Sequence, residues 1–102
     1  MDNNYKKISD RLGYTFSPTE SDINQLAYTF LFLKNDKDKA LELFIQNTTN
    51  YPNSAYAYDS LSDAYKALGN REMAIENLEK ALELNPDQEF SKRKLEELLN
   101  DQ

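Results

Sequence analysis

The chain has 102 residues, enough for one small domain that buries roughly two thirds of the surface its unfolded form exposes. Its 18 acidic and 12 basic side chains give a formal net charge of -6, which on average repels nucleic acid backbones and anionic lipid and leaves a basic or apolar partner as the easier match. Cys and His are both absent, so disulfides, thiolate nucleophiles, imidazole bases and the usual zinc ligands are excluded together.

The opening stretch MDNNYKKISDRLGY lacks the apolar run of a signal peptide, and no later segment approaches the length of a membrane span. A soluble chain is expected, with no membrane or nucleic acid partner and no cofactor; its compartment is not encoded here. YKKISDRLG reads as a short helix closed by Gly13, with Ile8 and Leu12 on one face, so residues 1–17 are expected to be a cap helix and linker. SPTE, from Ser17 to Glu20, combines an N-cap serine, proline at the first helical position and glutamate three residues after the cap. A helix is therefore expected to begin at Pro18, and Ile23, Leu26, Ala27 and Phe30 mark its stripe.

Self-similarity sets the rest. Pro52 and Pro86 stand 34 residues apart, and the same offset pairs Ala40 with Ala74, Leu41 with Ile75, Phe44 with Leu78 and Asp36 with Asn70. In the second copy Tyr58, Leu61, Ser62 and Tyr65 form one helical stripe with a small residue where the partner helix approaches. Gly69 suits the left-handed residue that ends a helix, Ala74 and Ala81 are small places on the returning helix, and Pro86 stops it. The first copy is looser. Phe30 to Ala40 is one residue longer than Tyr65 to Ala74, which points to an insertion in the turn around Leu33 to Asp36, and Asn47 departs from the small apolar residue expected opposite Ala81. DQEFSKRKLEELLNDQ continues as an amphipathic helix with Phe90, Leu95, Leu98 and Leu99.

The aromatic-x2-Leu-small-x2-aromatic, Ala-x3-large, Pro pattern resembles the tetratricopeptide repeat. That resemblance implies an all-α fold of antiparallel helical hairpins in a right-handed superhelical stack: residues 18–53 a divergent first repeat, 54–87 a second, and 88–102 a capping helix. In this family the first helices of successive repeats line a concave face, where Asn24, Tyr28, Leu31, Phe32, Tyr56, Asp59, Asp63 and Lys66 are then the candidate groove contacts. The lysine and asparagine clamp by which some members hold a carboxylate tail is unmatched, because Asp59 and Asp63 stand where it needs cationic or amide side chains. If the domain is a free peptide receptor, the apolar strip flanked by these acids predicts an extended or helical partner segment with basic residues; otherwise the strip is expected to be covered by the N-terminal segment carrying Tyr14 and Phe16 or by a neighbouring domain.

An enzyme has little to work with. Gly13 and Gly69 are the only glycines, too few for a phosphate loop or a G-x-S-x-G elbow, and without His no Ser-His-Asp triad is available. Glu76, Glu79 and Glu83 read as a solvated helix face. No catalytic, cofactor or metal residues are expected.

From about Tyr5 onward the chain is also similar to the C-terminal tails of bacterial serine hydrolases, both alpha/beta-hydrolase esterases and beta-lactamase-like enzymes. Ile-Asn-Gln-Leu, the Phe-x2-Asn ending at Asn47, and YPNSAxAYDSL from Tyr51 to Leu61 carry this likeness; Ala27 and Ser62 replace an expected glycine. It implies a non-catalytic accessory domain whose partner is the catalytic domain of a parent hydrolase, or a second copy. The rival is a free-standing adaptor that binds a protein or peptide in its groove, and a reading frame continuing upstream of Asp2 separates the two.

Overall fold

A computed structural model describes residues 18–100, in which every regular element is helical. Helix α1 spans Glu20–Tyr28 and runs on through a π-helical turn, Thr29–Leu33. Helices α2 (Lys37–Asn50), α3 (Ala55–Ala67), α4 (Arg71–Leu84) and α5 (Glu89–Asn100) follow. Neighbours pack in chain order, α1 on α2 and α3 on α4, and α5 lies against α4. The cap helix expected in residues 1–17 lies outside the described residues.

Caps fix most helix starts. Asp36, Ser54 and Asn70 each accept the backbone N–H three residues on, at Lys39, Ala57 and Met73, which satisfies one of the donors a helix N-terminus leaves free. The first start differs from expectation. Thr19, not Ser17, is the cap, and the helix begins at Glu20, two residues beyond Pro18. Thr19 and Asp22 form a reciprocal capping box with bonds of 3.1 and 3.0 Å, which leaves the Glu20 carboxylate to accept a hydrogen bond from the Ser54 hydroxyl.

The two hairpins close on the same backbone device. Gly69 has φ 81° and Asn35 has φ 53°, so Asn35 takes the left-handed place that glycine holds in the second hairpin. The Asn70 N–H bonds to the Tyr65 carbonyl at 2.8 Å, and its counterpart, the Asp36 N–H, reaches back one residue further to Phe30, also at 2.8 Å. The inserted residue therefore sits in the helix and not in the turn. Lys34 N–H bonds to Thr29 O at 3.0 Å, five residues back, so the last turn of the helix has widened to hold one more residue while Lys34–Asp36 matches Leu68–Asn70 place for place.

One apolar cluster joins Ile23, Ala27 and Leu31 of the first helix to Ala40, Leu43 and Phe44 of α2 and to Leu61 and Ala64 of α3. A second joins Ala74 and Leu78 of α4 to Leu98 of α5. Tyr65 packs against both, which makes it the joint between the hairpins. Small residues permit the close approach: Ala27, Ala40, Ala64, Ala74 and Ala81 are fully buried. Buried Asn47 donates to the Glu20 carbonyl at 3.0 Å, so the residue that departs from the pattern ties α2 to the start of α1.

Candidate protein-interaction surface

Helices α1, α3 and α5 are the first members of successive hairpin units, and two rows of side chains run across them. In the first row Asn24 Nδ2 of α1 donates to the Tyr56 hydroxyl of α3 at 3.3 Å. The Tyr56 ring then meets Phe90 of α5 edge-on, with centroids 6.2 Å apart. In the second row the Tyr28 hydroxyl donates to Asp63 Oδ2 at 2.5 Å, and Lys94 Nζ of α5 reaches Asp63 at 3.1 Å and Asp59 Oδ1 at 2.6 Å. Lys94 Nζ also lies 5.9 Å from the Phe90 ring centre, so the rows adjoin.

Asp59 is almost fully buried, and an unpaired carboxylate there would be costly. It is instead saturated: the Ser91 hydroxyl donates to Oδ2 at 2.5 Å, while Lys94 holds Oδ1. Gln88 extends the arrangement by donating to Ser91 Oγ at 2.8 Å and to the Ala55 carbonyl at 3.3 Å. Burial would lower the Lys94 pKa, but its bonds and ion pairs with Asp59 and Asp63 outweigh it and hold the ammonium above its ordinary value. The Tyr28 phenol is pushed far above its usual range, first by burial and then by the Asp63 charge.

The eight candidate groove residues do not share one fate. Phe32, 69% exposed, stacks on Tyr28 with centroids 5.7 Å apart, and Tyr56, 46% exposed, meets half-exposed Phe90 edge-on, so the exposed rings form two aromatic pairs, one in each row. Leu31 is buried in the first core cluster because the widened turn directs it inward, so it offers nothing to a ligand. Asn24 is buried too, linking helices. Asp59 is out of a partner's reach, buried and held by Lys94 and Ser91, while partly exposed Asp63 shares the same ammonium through Oδ2, so the negative charge beside the rings is reduced. Lys66 is exposed and stands apart, lining a shallow depression with Glu97, Leu98 and Asn100.

Lys94 and Phe90 belong to this surface, with Ser91 and Gln88 buried behind it, and none of the four was among the expected contacts. A signal for them exists in the sequence. One repeat length beyond Asp59 comes the basic run Lys92, Arg93 and Lys94, the complement of two acids on the neighbouring helix. Glu76, Glu79 and Glu83 are exposed on α4, and Lys80 pairs with Glu83 at 3.5 Å, in keeping with a solvated face.

Hairpins stacked with their first helices on one face define a helical-repeat protein. Residues 55–88 match the family model described as Tetratricopeptide repeat, a span that starts at the first residue of α3 and ends just before α5. The fold is thus an all-α helical repeat of the tetratricopeptide type, with one such repeat at residues 55–88. A repeat of this kind suggests a protein–protein interaction module.

Proposed function

We propose that the chain is a non-catalytic interaction module that seats an apolar protein surface across two aromatic pairs, Phe32 with Tyr28 and Tyr56 with Phe90, which together make an aromatic strip, as the C-terminal accessory domain of an esterase-type serine hydrolase. One observation carries the binding mode: the strip is open while the acids beside it are already engaged by Lys94. A basic segment has to displace Lys94 to reach Asp59 and competes with it for Asp63, whereas an apolar surface need only cover the rings. The hydrolase setting is supported by the likeness of YPNSAYAYDSL to hydrolase tails. A second reading, a free-standing adaptor for a peptide segment, is favoured by the openness of Phe32 and Tyr56 among the described residues.

Two measurements test this. The genomic reading frame upstream of Asp2 is expected to encode a serine hydrolase domain; a frame without one overturns the hydrolase setting and leaves the adaptor. In the protein as it occurs, the Phe32→Ser variant is expected to quicken limited proteolysis between the domains, at a temperature well below the melting point of the repeat. Unchanged cleavage removes the strip as the contact.

A further inference from the structure

The face by which a hairpin stacks on its predecessor can be read from α3. Leu61 and Ala64 lie in the core shared with the first hairpin, and Ala57 is buried one turn earlier. Up to the widened turn, α1 repeats α3 at an offset of 35 residues, with Ile23, Leu26, Ala27 and Phe30 in the places of Tyr58, Leu61, Ser62 and Tyr65. The α1 equivalents of Ala57, Leu61 and Ala64 are therefore Asp22, Leu26 and Thr29. Leu61 is 5% exposed and Leu26 is 45% exposed. Asp22, Leu26 and Thr29, with Gln25, line a shallow depression of about 300 Å³. The first hairpin carries a stacking face that no described residue covers.

The other end of the stack is finished differently. Helix α5 closes it, with Leu98 inward and Lys92, Arg93, Glu96 and Glu97 exposed beside a half-exposed Leu99, a mostly charged face that matches the Leu26 depression poorly and disfavours head-to-tail stacking of copies. The chain itself supplies a better occupant. Helices α3 and α5 are each entered from the preceding helix through a four-residue connection with a proline, Tyr51-Pro52-Asn53-Ser54 and Asn85-Pro86-Asp87-Gln88. Phe16-Ser17-Pro18-Thr19 occupies the four positions before α1, with its proline one position later. Upstream of it Tyr5, Ile8 and Leu12 fall at i, i+3 and i+7, the spacing of one helical face. At the 35-residue offset Ile8 corresponds to Leu43, which shares a core cluster with Leu61.

We propose that the stretch from Tyr5 to Phe16 seats on the Asp22, Leu26 and Thr29 face of α1 in the place that the second helix of a preceding hairpin would take. Stacking at this end is then an intrachain contact, separate from the aromatic strip.

The absence of native cysteine makes the test direct. In the full chain, Ile8→Cys with Leu26→Cys is treated with a short bis-maleimide cross-linker, and Ile8→Cys with Lys92→Cys serves as the control. An intrachain link in the first pair that persists on dilution, with none in the control, is the expected result. Linked dimers assign the face to a second copy and overturn the proposal, as does the absence of a link. A melting comparison gives an independent readout: Leu26→Ser is expected to lower the Tm of the full chain by a few degrees and to leave unchanged a chain lacking residues 1–16. Equal shifts in the two backgrounds overturn it; should the shortened chain not fold, the cross-link decides.

Discussion

Gly69 and Asn35 hold equivalent places at the hairpin bends, both with positive φ, and they separate backbone cost from packing cost. A Cβ built at Gly69 meets nothing within 4 Å, so the penalty for Gly69→Val is conformational alone: about 1–3 kcal/mol for a β-branched residue forced left-handed. Asn35→Gly is expected to raise stability slightly or leave it unchanged, because glycine enters that region without strain. Urea unfolding of both variants checks the pair, and an unaffected Gly69→Val protein contradicts the assignment. Tyr65 and Ala74 test packing instead. Tyr65 bridges the two clusters and Ala74 is fully buried, so Tyr65→Ala is expected to cost about 3 kcal/mol and Ala74→Leu about 1–3 by overpacking. Melting within a degree of the parent in both would show that the helices do not meet there.

At the scale of the element, α5 is held by two unlike attachments. Leu95 and Leu98 pack on α4 and Tyr65, while Lys94, Ser91 and Gln88 bind α3. Arg71 adds a further tie, donating from Nε and Nη2 to the Leu98 carbonyl at 3.0 and 2.7 Å, where the helix end leaves acceptors free. Lys94→Met removes the cation and leaves Asp59 buried. Lys94 is partly exposed, so the loss is expected to fall between the surface and buried cases, at about 2 kcal/mol. Amide exchange should quicken in α5 first, and uniform quickening throughout would show that α5 is not a separate docking unit. Helices α3 and α4 were legible because tyrosine, small residue, Gly69 and Pro86 all agree on one hairpin. The insertion was legible as a count and not as a place, since a chain can absorb one residue in a bend or by widening a helix turn. The burial of Asp59 was not legible for a related reason. Periodicity gives its face on α3, but its saturation by Lys94 depends on how α5 crosses that face. Thr19 displaced Ser17 because two capping motifs overlap, and spacing alone does not rank them.

For the whole molecule, the Tyr28–Asp63–Lys94–Asp59 row ties the first, third and fifth helices together, and its protons link the stack to pH. Tyr28 and Lys94 both hold their protons more tightly in the folded chain, against ordinary values of 10.0 and 10.5. A raised folded pKa gives stability that is fully present below the unfolded value and is lost as pH rises toward the folded one. Both groups therefore act in the same direction: stability is level through neutral pH with respect to this row and declines from about pH 10 upward. To isolate the contribution of this row, the parent is compared with a Tyr28→Phe, Lys94→Met double variant. Denaturant midpoints between about pH 8 and 11 should fall more steeply for the parent than for the variant, although the variant starts lower. Parallel alkaline limbs would mean that neither proton is held by the fold, and the row would then be a surface contact instead of the strut that sets the spacing of the three helices.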